Sequence, residues 1–453
     1  MGAEGPRHNL ARAVGSAALL WGYPLVESVR ACRVQADARP GETPWMNAPI
    51  DRLFQVRRVA THRDRDLPTP ANDLLYSSAW INLAAGPRLV HVPSSAAHGR
   101  RYFVLALCDA WTHNFANPGL RESPPGGERV LLVGPGTAPA LRAAWEVRAD
   151  RVIEAPTDLV WLLARVVAGP GDDLAAAQAL QNEIRVEVPA EAPGRVPDAA
   201  HGWRGPVEGD LIGGLAAGGA SGAELAAGYL DNLCRSLAEQ GAPAAEGGML
   251  RWLATARLKP DARFDITRLD AELQVGLRAG VRDGAAMLVA MAGGSRQAKP
   301  WTVVQGLGRF GMDYLLRSAT AYRGIGAVTS DEALYGMADY DQAGQALDGR
   351  HRYVLRFPPD GLPPVDAFWS ITLYAPDRFM VPNPIERHSI GDRTPGLERD
   401  ADGGLTLEIG HAAPRRQANW LPAPAGRFYL ALRMYMPRPA VRDYVIPAVT
   451  RSD

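Results

Sequence analysis

The stretch RFYLALRMYMP, residues 427–437, alternates regularly between two kinds of side chain. Every second position from Phe428 to Met434 is apolar, whereas Tyr429, Arg433 and Tyr435 lie on the alternate positions. A period of two is the pattern of a β-strand that buries one face. The stretch therefore predicts a strand of an antiparallel sheet, with Arg433 on the face opposite the apolar one.

Similar short apolar stretches, separated by turns rich in glycine and proline, occur around this segment and again near the front of the chain. The rear stretches predict an antiparallel sandwich or jelly-roll-like sheet. The clearest candidates are RYVLRF (352–357), AFWSITLY (367–374) and LTLEIG (405–410) at the rear, and RLVHVP (88–93), RYFVLALCD (101–109) and RVLLVGPG (129–136) at the front. The second front stretch is apolar on both faces, so we expect a strand that is buried on both sides.

Helical patterns begin the chain and dominate its middle. Residues 9–36 predict an amphipathic helix that Pro24 must kink or interrupt. Capping residues predict further helices between about 157 and 325. These are DLVWLLARVV after Thr157, LAAAQALQNEI after Asp172 or Asp173, and LAAGYLDNLCRSLAEQ after the capping box SGAE at 221–224, with Gly/Ala/Pro-rich connections near 190–222 and 241–248.

Together these patterns predict an α+β protein in which two β-rich, sandwich- or jelly-roll-like domains are joined by a helical middle region. We place the domains at residues 1–165, 166–335 and 336–453. The length of 453 residues is too great for one compact core and favours two or three domains.

The overall charge and the cysteines narrow the class of protein. Lys and Arg total 49, as do Asp and Glu, so electrostatics give no reason to expect nucleic acid or a membrane surface as partner. Three widely separated cysteines predict buried, reduced thiols. The apolar stretch AVGSAALLWGYPLV near the N-terminus is too short to span a bilayer and lacks a cleavage site, so we expect a cytoplasmic protein.

Several catalytic and cofactor signatures are weak or absent. GLGRFG at 306–311 fits G-x-G-x-x-G, but no second βαβ unit follows it, so we interpret the glycines structurally and predict no NAD site. Nine scattered histidines form no metal-binding motif, and no G-x-S-x-G elbow is present. The sequence therefore predicts neither a metal nor another cofactor.

The first candidate site is the loop CDAWTHNFANPGLRE, residues 108–122, which follows a buried strand. Asp109 and His113 could act as a general acid/base pair, with Arg121 binding an anionic substrate and Asn114 and Trp111 lining the pocket. Alternatively, Asp109 and Arg121 form a structural ion pair that closes the loop, and His113 is merely exposed.

The second candidate is NPIERHSIGDRT, residues 383–394. As a turn, it would place Gly391 at positive φ, use Asp392 to cap backbone amides, and let Arg387 or Arg393 pair across the sheet. As part of an active site, it would supply His388 for proton transfer.

A third polar segment, PANDLLYSSAW at 70–80, contributes Asn72 and Tyr76 as candidate substrate-binding residues. Its alternative interpretation is an ordinary Pro/Asn/Asp turn before a strand.

The order of these segments resembles a bacterial two-domain family known as domain of unknown function 1254 followed by domain of unknown function 1214. The resemblance rests on WGYPLV, PANDLLYSSAWINL, RYFVLALCDAWTHNFANPGLR, GRFGMDYLLRSATAYRGIGA, HSIGDRT, DGGLTLEIG and NWLPAPAGRFYLALRMYMP. It implies a β-rich front domain, a helical middle region, a C-terminal β-sandwich and, often, homo-oligomers. It also implies that GLGRFG belongs to a family helix, and it brings no common reaction.

We therefore expect a small-molecule enzyme that uses acid/base or electrostatic catalysis without a redox cofactor, such as a hydrolase, lyase, isomerase or cyclase. Its pocket is expected between the two β-domains, with His388, His113 and Asp109 as catalytic residues. The expected substrate-binding residues are Arg121, Asn114, Trp111, Asn72, Tyr76, Arg387, Asp392, Arg393, Tyr374, Tyr429 and Arg433, with Trp369 and Tyr435 completing an aromatic wall. The alternative is a non-catalytic ligand-binding or assembly protein.

Overall fold

The structure is a computed structural model that describes residues 5–36, 46–65, 68–190, 203–205, 209–292 and 300–452. In these ranges it contains eight α-helices and eighteen strands in four sheets, which confirms the predicted α+β class with a helical region between β-rich parts. Much of the predicted connection near 190–222, namely 191–202 and 206–208, lies outside the described residues. Every helix in the described part of the chain is too short or too polar to cross a lipid bilayer.

The described residues contain eight helices. They are α1 (Pro6–Ala36), α2 (Pro139–Glu146), α3 (Asp172–Glu183), α4 (Leu211–Ala217), α5 (Gly219–Gln240), α6 (Gly247–Thr255), α7 (Ala271–Ala292) and α8 (Tyr314–Gly324). Helices α2 and α3 lie against front strands, whereas the other six pack together as one helical layer. In that layer α1, predicted at 9–36, packs against α5, α6, α7 and α8. The N-terminal helix therefore belongs to the helical layer, although it precedes the front strands in the sequence.

Helices α1 and α7 cross at short distance because glycines recur on α7. Gly276, Gly280 and Gly284 lie four residues apart and face α1. A Cβ atom at Gly280 would lie 2.0 Å from the carbonyl oxygen of Arg12. Ser16 of α1 donates a hydrogen bond to the Gly280 carbonyl at 2.9 Å. The two backbones thus approach to a distance that a larger side chain would prevent.

Nine strands build the front sandwich. They are β1 (Phe54–Gln55), β2 (Leu74–Asn82), β3 (Arg88–Val92), β4 (Phe103–Asp109), β5 (Asn114–Ala116), β6 (Glu128–Val133), β7 (Arg151–Glu154), β8 (Leu159–Val167) and β9 (Arg185–Glu187). The inner front sheet has the order β1-β2-β8-β4-β5, and the outer front sheet has the order β7-β6-β3-β9. An apolar core between them includes Phe103, Leu105 and Leu107, while Val104, Ala106 and Cys108 face the opposite side, as predicted.

Nine more strands build the rear sandwich. They are β10 (Thr302–Val304), β11 (Ala333–Ala338), β12 (Tyr353–Phe357), β13 (Val365–Tyr374), β14 (Ser389–Gly391), β15 (Leu405–Gly410), β16 (Trp420–Pro422), β17 (Tyr429–Pro437) and β18 (Thr450–Arg451). The inner rear sheet has the order β10-β11-β17-β13-β14, and the outer rear sheet has the order β16-β15-β12-β18. Leu430, Leu432 and Met434 of β17 face the core between these sheets, as the alternation of RFYLALRMYMP predicts.

The two inner sheets turn their second faces toward each other. The ring of Tyr102, beside β4, lies 5.6 Å from the Phe368 ring and 5.2 Å from the Tyr435 ring. These side chains share one large core with the helical layer. The inner sheets and the helices therefore surround a common interior, which positions the site described below.

One predicted helix is a strand. DLVWLLARVV forms β8, which lies between β2 and β4, and all nine of its residues are buried. A short apolar stretch cannot by itself distinguish a buried strand from a buried helix, and here sheets and helices cover both faces. Thr157 accepts a hydrogen bond from the Ala110 amide at 2.9 Å and donates one to the Leu159 carbonyl at 2.8 Å, so it caps no helix.

Two further expectations about glycine-rich segments are wrong in detail. Helix α5 begins at Gly219, so SGAE lies inside its first turns and does not precede it. GLGRFG is a turn before α8 and not part of a helix, because Gly306, Gly308 and Gly311 have φ values of 76°, 75° and 55°. Asp313 caps α8 instead, accepting a hydrogen bond from the Leu316 amide at 3.0 Å.

Both expected domain boundaries fall within strands. The boundary after residue 165 lies in β8, and the boundary after residue 335 lies in β11. Each strand is hydrogen-bonded on both sides in its sheet. The front sandwich extends to the end of β9 at Glu187, and the rear sandwich begins with β10 at Thr302.

Candidate functional site

A cavity of about 590 Å³ lies between the two inner sheets. Strands β2 and β8 line one side, β11 and β17 line the other, and α8 with its flanking segments forms a third wall. Its volume is within the range of pockets that bind small organic ligands. The charged and phenolic side chains that line it are Tyr76, Arg165, Asp313, Arg323, Tyr335, Asp339, Tyr340, Tyr429, Arg433 and Tyr435.

Arg433 lies in the middle of the inner rear sheet. It is on β17, the central strand, directly opposite Tyr335 of β11. Its Nη1 donates to the Thr372 hydroxyl at 3.0 Å, and its Nη2 donates to the Thr69 carbonyl at 2.8 Å and to the Tyr374 hydroxyl at 2.9 Å. Only 4% of the residue is exposed, so these neighbours fix the guanidinium group at the cavity wall.

Arg165 has the equivalent position in the inner front sheet. It lies on the central strand β8, opposite Tyr76 of β2 and Val104 of β4. Its Nη2 donates to the carbonyl of Gly326 at 2.7 Å, and 8% of the residue is exposed. The cavity therefore has a buried guanidinium group at the centre of each of its two sheet walls.

Neither guanidinium group has a negatively charged partner among the described residues, because no carboxylate oxygen lies within 4.0 Å of either. Arginine stays protonated at physiological pH. The surrounding phenols do not neutralise it, since burial raises the pKa of Tyr335, Tyr429 and Tyr435 and keeps them protonated. Asp73 acts electrostatically on Arg433, but from beyond 4.0 Å, and burial raises the pKa of that carboxyl. Two buried positive charges without a directly bonded counter-ion thus share the cavity, and placing such an ion in the interior costs several kcal/mol.

The two arginines converge on the same phenols. Tyr76 and Tyr435 each lie close enough to interact electrostatically with both Arg165 and Arg433. A protonated phenol is a hydrogen-bond donor. Guanidinium and phenol groups together therefore offer several donors to one anionic group in this part of the cavity.

The segment that holds Arg433 is conformationally strained. Thr69, whose carbonyl accepts from Arg433, has a φ of 59°, and it lines the cavity. Positive φ is unfavourable for a β-branched residue and is concentrated at ligand-binding and active sites. The neighbouring loop is thus held in a costly conformation at the place where it orients a cavity arginine.

Side chains of opposite charge lie near each other at the other end of the cavity. Asp339 follows the last residue of β11, and its carboxylate has no hydrogen bond or ion pair with the described residues. Arg323 and Arg427 approach it but stay beyond 4.0 Å. Burial raises the pKa of Asp339, and the two arginines act in the opposite direction.

Three residues predicted to bind substrate line this cavity, namely Tyr76, Tyr429 and Arg433. Tyr374 stands next to them, donating to the Pro70 carbonyl at 2.6 Å and accepting from Arg433. The sequence does not predict Arg165 as a site residue, because the stretch DLVWLLARVV that contains it predicts a helix and not β8. Its signal in the sequence is a single arginine within an otherwise apolar stretch.

The other residues predicted to form the pocket do not line this cavity. The residues concerned are Asp109, Trp111, His113, Asn114, Arg121, Asn72, Arg387, His388, Asp392, Arg393 and Trp369. Most of them are bound in local hydrogen-bond networks at the sheet ends. Trp369 instead packs in the core of the rear sandwich.

Asp109 and His113 belong to a buried network beneath α8. Asp109 accepts hydrogen bonds from the amides of Trp111 and His113, both at 2.9 Å, and burial raises its pKa to about 7. The Nε2 atom of His113 lies 2.9 Å from Nη1 of Arg317. Burial, with the charge of Arg317, lowers the pKa of His113 to about 4, so its Nε2 accepts this hydrogen bond.

The same network contains a buried ion pair. Arg317 and Glu246 are joined by two hydrogen bonds of 3.1 and 3.2 Å, and their side chains are 0% and 3% exposed. Trp21 of α1 also donates to Glu246. Trp111 packs on Trp21 with ring centroids 4.6 Å apart. The network thus joins α1, α8 and the turn after β4.

The alternative interpretation of the first loop, an ion pair between Asp109 and Arg121 with an exposed His113, is wrong. Arg121 pairs with Glu332 at 2.8 Å and with Glu122 at 2.7 Å, and not with Asp109. Asp109 instead closes the turn through backbone amides, and His113 is partly buried. Asn114 binds backbone groups, accepting from the Thr329 amide at 3.0 Å.

The segment 383–394 forms a second network at the edge of β13. Arg387 donates to the carbonyls of Gln417, Ala418 and Trp420, each at 2.9 Å, and no carboxylate of the described residues pairs with it. The Nδ1 atom of His388 lies 3.3 Å from the Asn383 amide nitrogen, and its ring is 5.4 Å from that of His62.

Neighbouring residues complete this second network. Asp392 accepts from the Trp369 amide at 3.1 Å, which confirms the predicted cap, and Arg393 pairs with Asp173 at 3.1 Å. Asn72 accepts from Ser389 at 3.0 Å. Gly391 does not have positive φ; it is required because a Cβ atom there would lie 2.2 Å from the Trp369 carbonyl.

Two family descriptions match successive parts of the chain. Residues 50–188 match "Protein of unknown function (DUF1254)", and residues 332–439 match "Protein of unknown function (DUF1214)". The chain belongs to the DUF1254–DUF1214 two-domain family. The DUF1254 match spans β1 to β9, and the DUF1214 match spans β11 to β17. The two matched regions thus correspond to the two sandwiches.

One solved structure has a similar fold over almost the whole chain. The VPA0106 protein from Vibrio parahaemolyticus is similar with a TM-score of 0.67 and 23% identity, over 98% of this chain and 100% of that one. An uncharacterised protein from Burkholderia cenocepacia covers 95% of this chain and 88% of its own at 13% identity, and its TM-score of 0.44 is too low to support an argument. No curated protein matches the sequence. For this DUF1254–DUF1214 protein, the chemistry must therefore be inferred from the cavity itself.

Proposed function

We propose that this protein is a small-molecule enzyme whose substrate is a mainly apolar organic anion bound between the two inner sheets. The observation that carries the proposal is the pair Arg165 and Arg433, two buried guanidinium groups that face one cavity without a carboxylate partner. An anionic ligand would supply the missing negative charge. Leu163, Met337 and Ala431 offer apolar surface to the rest of such a molecule.

The chemistry that suits this arrangement is electrostatic stabilisation of negative charge. Fixed guanidinium and phenol donors in a site shielded from water stabilise an oxyanion or enolate more effectively than water does. The proposed reaction classes are those expected from the sequence, namely hydrolysis, elimination, isomerisation or cyclisation without a redox cofactor. Arg165 and Arg433 bind and stabilise charge, and Tyr76 and Tyr435 donate hydrogen bonds.

The second candidate is a non-catalytic carrier of the same kind of anion. Of the described residues that line the cavity, none is His, Cys or Ser, the usual nucleophiles and proton-transfer groups at neutral pH. A carrier would need the same anion-binding arginines and the same apolar wall. The two candidates differ in whether the bound molecule is transformed.

A ligand panel followed by product analysis tests both candidates. Apolar carboxylates, phosphate monoesters and their neutral alcohols are screened by thermal shift, because a ligand that binds the native state raises its melting temperature. Ligands that bind are then incubated with the protein and examined by mass spectrometry. Conversion to a product of equal mass, or of a mass changed by water or a lost fragment, supports the enzyme.

The remaining outcomes are equally decisive. Binding without conversion supports the carrier, and failure of every anion to bind contradicts both candidates.

We also keep the cytoplasmic location expected from the sequence, which is supported by the free and buried state of Cys32, Cys108 and Cys234.

A further inference from the structure

The cavity has a second polar end at which positive and negative charge face each other. The carboxylate of Asp339 and the guanidinium of Arg323 both line it, and neither side chain has a hydrogen bond or ion pair within the described residues. They are also too far apart to pair directly, since no oxygen of Asp339 lies within 4.0 Å of Arg323. Each group therefore has a free hydrogen-bonding position toward the cavity.

Tyr429 connects this end with the arginine pair. Burial raises the pKa of the Tyr429 phenol, Arg323 and Arg433 oppose that rise, and Asp339 adds to it, so all three charged groups surround the same ring. The Tyr429 hydroxyl lies 3.4 Å from that of Thr69, whose carbonyl holds Arg433. The two polar ends thus belong to one continuous cavity wall.

The sheet register gives the separation of the two ends. Tyr335 is the direct partner of Arg433, and Asp339 follows four residues later, just after the end of β11 at Ala338. Each residue of an antiparallel strand advances about 3.4 Å, so the two positions are up to about 14 Å apart at the backbone. The flexible side chain of Arg433 shortens or lengthens the distance available to a ligand.

We propose that the ligand is a hydroxylated organic anion that places its anionic group at Arg165 and Arg433 and a hydroxyl group between Asp339 and Arg323. A hydroxyl fits this gap because it donates one hydrogen bond and accepts another. It donates to the Asp339 carboxylate and accepts from the Arg323 guanidinium. This assignment rests on the proposed function, whose anion-binding end it uses, and it makes Asp339 the residue that selects the substrate.

An ammonium group fits the gap less well. It also donates to Asp339, but it cannot accept from Arg323, and its positive charge is repelled by Arg323 and Arg427. A ligand with a hydroxyl group at this end is therefore expected to bind most tightly, and one with an ammonium group less tightly. A ligand with a methyl group there leaves both charged side chains unpaired and is expected to bind least tightly.

The test compares straight-chain carboxylates from hexanoate to tetradecanoate with their ω-hydroxy and ω-amino counterparts, by calorimetric titration of the full chain. At one chain length we expect the ω-hydroxy acid to bind about tenfold to a hundredfold more tightly than the parent acid, the effect of a hydrogen bond to a charged group. Shorter and longer chains are expected to lose this advantage, because the hydroxyl no longer reaches the gap.

Two variants assign the effect to Asp339. Asp339→Leu removes the acceptor, so we expect the hydroxyl advantage to disappear while the parent acid binds equally or more tightly. Asp313→Asn is the matched control: it also removes a carboxylate from the cavity wall, but asparagine keeps the cap of α8, so the advantage is expected to remain.

The outcomes separate this inference from the proposed function. If carboxylates bind but no chain length shows a hydroxyl advantage, the hydroxyl assignment is wrong and the anion site remains. If the advantage persists in a folded Asp339→Leu protein, Asp339 does not select the substrate. If no carboxylate binds to the wild type, the hydroxyl assignment fails, and the proposed function fails with it if the phosphate monoesters do not bind either. The chain-length series needs no variant, so it decides the matter even where Asp339→Leu does not fold.

Discussion

Arg165 and Arg433 occupy equivalent positions in two different sheets. Each lies on the central strand of a five-stranded sheet, each is almost completely buried, and both face the same cavity. Buried arginines are normally paired with carboxylates. Neither of these has a carboxylate oxygen within 4.0 Å in the described structure, and the proposal of an anionic ligand rests on this observation.

The first prediction contrasts an unpaired buried arginine with a paired one. Arg165→Met removes a charge that lacks a carboxylate, so we expect the free energy of unfolding without ligand to stay within about 1 kcal/mol of the wild type or to rise. Arg317→Met leaves Glu246 buried without its partner, so we expect a loss of about 3–5 kcal/mol. Denaturant unfolding measures both, and equal losses in the two variants would count against a ligand-binding role for Arg165.

The second prediction concerns the Arg317–Glu246 pair itself. Glu246→Leu alone leaves the Arg317 charge buried and is expected to cost about 3–5 kcal/mol. The double variant Glu246→Leu, Arg317→Met removes both charges and is expected to recover most of that loss. A double variant whose loss equals the sum of the two single losses would show that the pair does not act as a unit.

The third prediction tests the close crossing of α1 and α7. Gly280→Ala places a methyl group where a Cβ atom meets the Arg12 carbonyl at 2.0 Å, so the helices must separate, and we expect a cost of about 2 kcal/mol or more. Gly248→Ala in α6 is the control, because its Cβ atom meets no atom closer than 3.9 Å. There, helix propensity predicts a gain of up to about 1 kcal/mol. Thermal unfolding distinguishes the two.

The fourth prediction concerns pH and the opposing titrations of Asp109 and His113. The pKa of His113 is lowered from 6.5 to about 4, so the unfolded state binds more protons in that window and stability rises with pH. The pKa of Asp109 is raised from 3.8 to about 7, so the folded state binds more protons there and stability falls as pH rises. In the wild type the two slopes largely cancel.

Single variants separate these slopes. Asp109→Asn keeps the acceptor oxygen, and His113 is then the only one of the two groups that titrates. Its free energy of unfolding is therefore expected to rise between pH 4 and 6.5, relative to the wild type, by up to about 1.4 kcal/mol per pH unit. His113→Gln leaves Asp109, and the relative slope is expected to reverse sign. Unfolding measured at several pH values checks both, and parallel pH profiles for all three proteins would contradict the assignment.

Much of the fold follows from the sequence because alternation is strong wherever a strand has one apolar and one polar face. The stretch containing Leu430, Leu432 and Arg433 shows this, and its two faces lie where the pattern places them. Alternation does not identify β8, because its neighbouring residues Leu162 and Leu163 point to opposite faces of the sheet and both are buried. Only the covering layers decide between strand and helix there, and these come from distant parts of the chain.

The candidate site was harder to predict than the fold. Histidines and carboxylates in polar loops draw attention, yet His113 and His388 are occupied by local networks at the ends of strands. The cavity instead uses side chains from the middle of strands, where Arg165 looks like an isolated exception in an apolar stretch. The sequence does not predict Asp339 as a site residue. Its proposed role depends on the lack of a hydrogen-bond partner among the described residues, which a sequence does not show.

The most direct test of the central claim is calorimetric titration with octanoate and methyl octanoate, which differ in charge but share an apolar body and carry no hydroxyl group. We expect the wild type to bind octanoate more tightly than methyl octanoate. Arg165→Gln and Arg433→Gln should each weaken octanoate binding by roughly tenfold to a hundredfold and leave methyl octanoate binding nearly unchanged. Equal binding of the two compounds by the wild type, or octanoate binding that survives loss of both arginines, would contradict an anion site between the inner sheets.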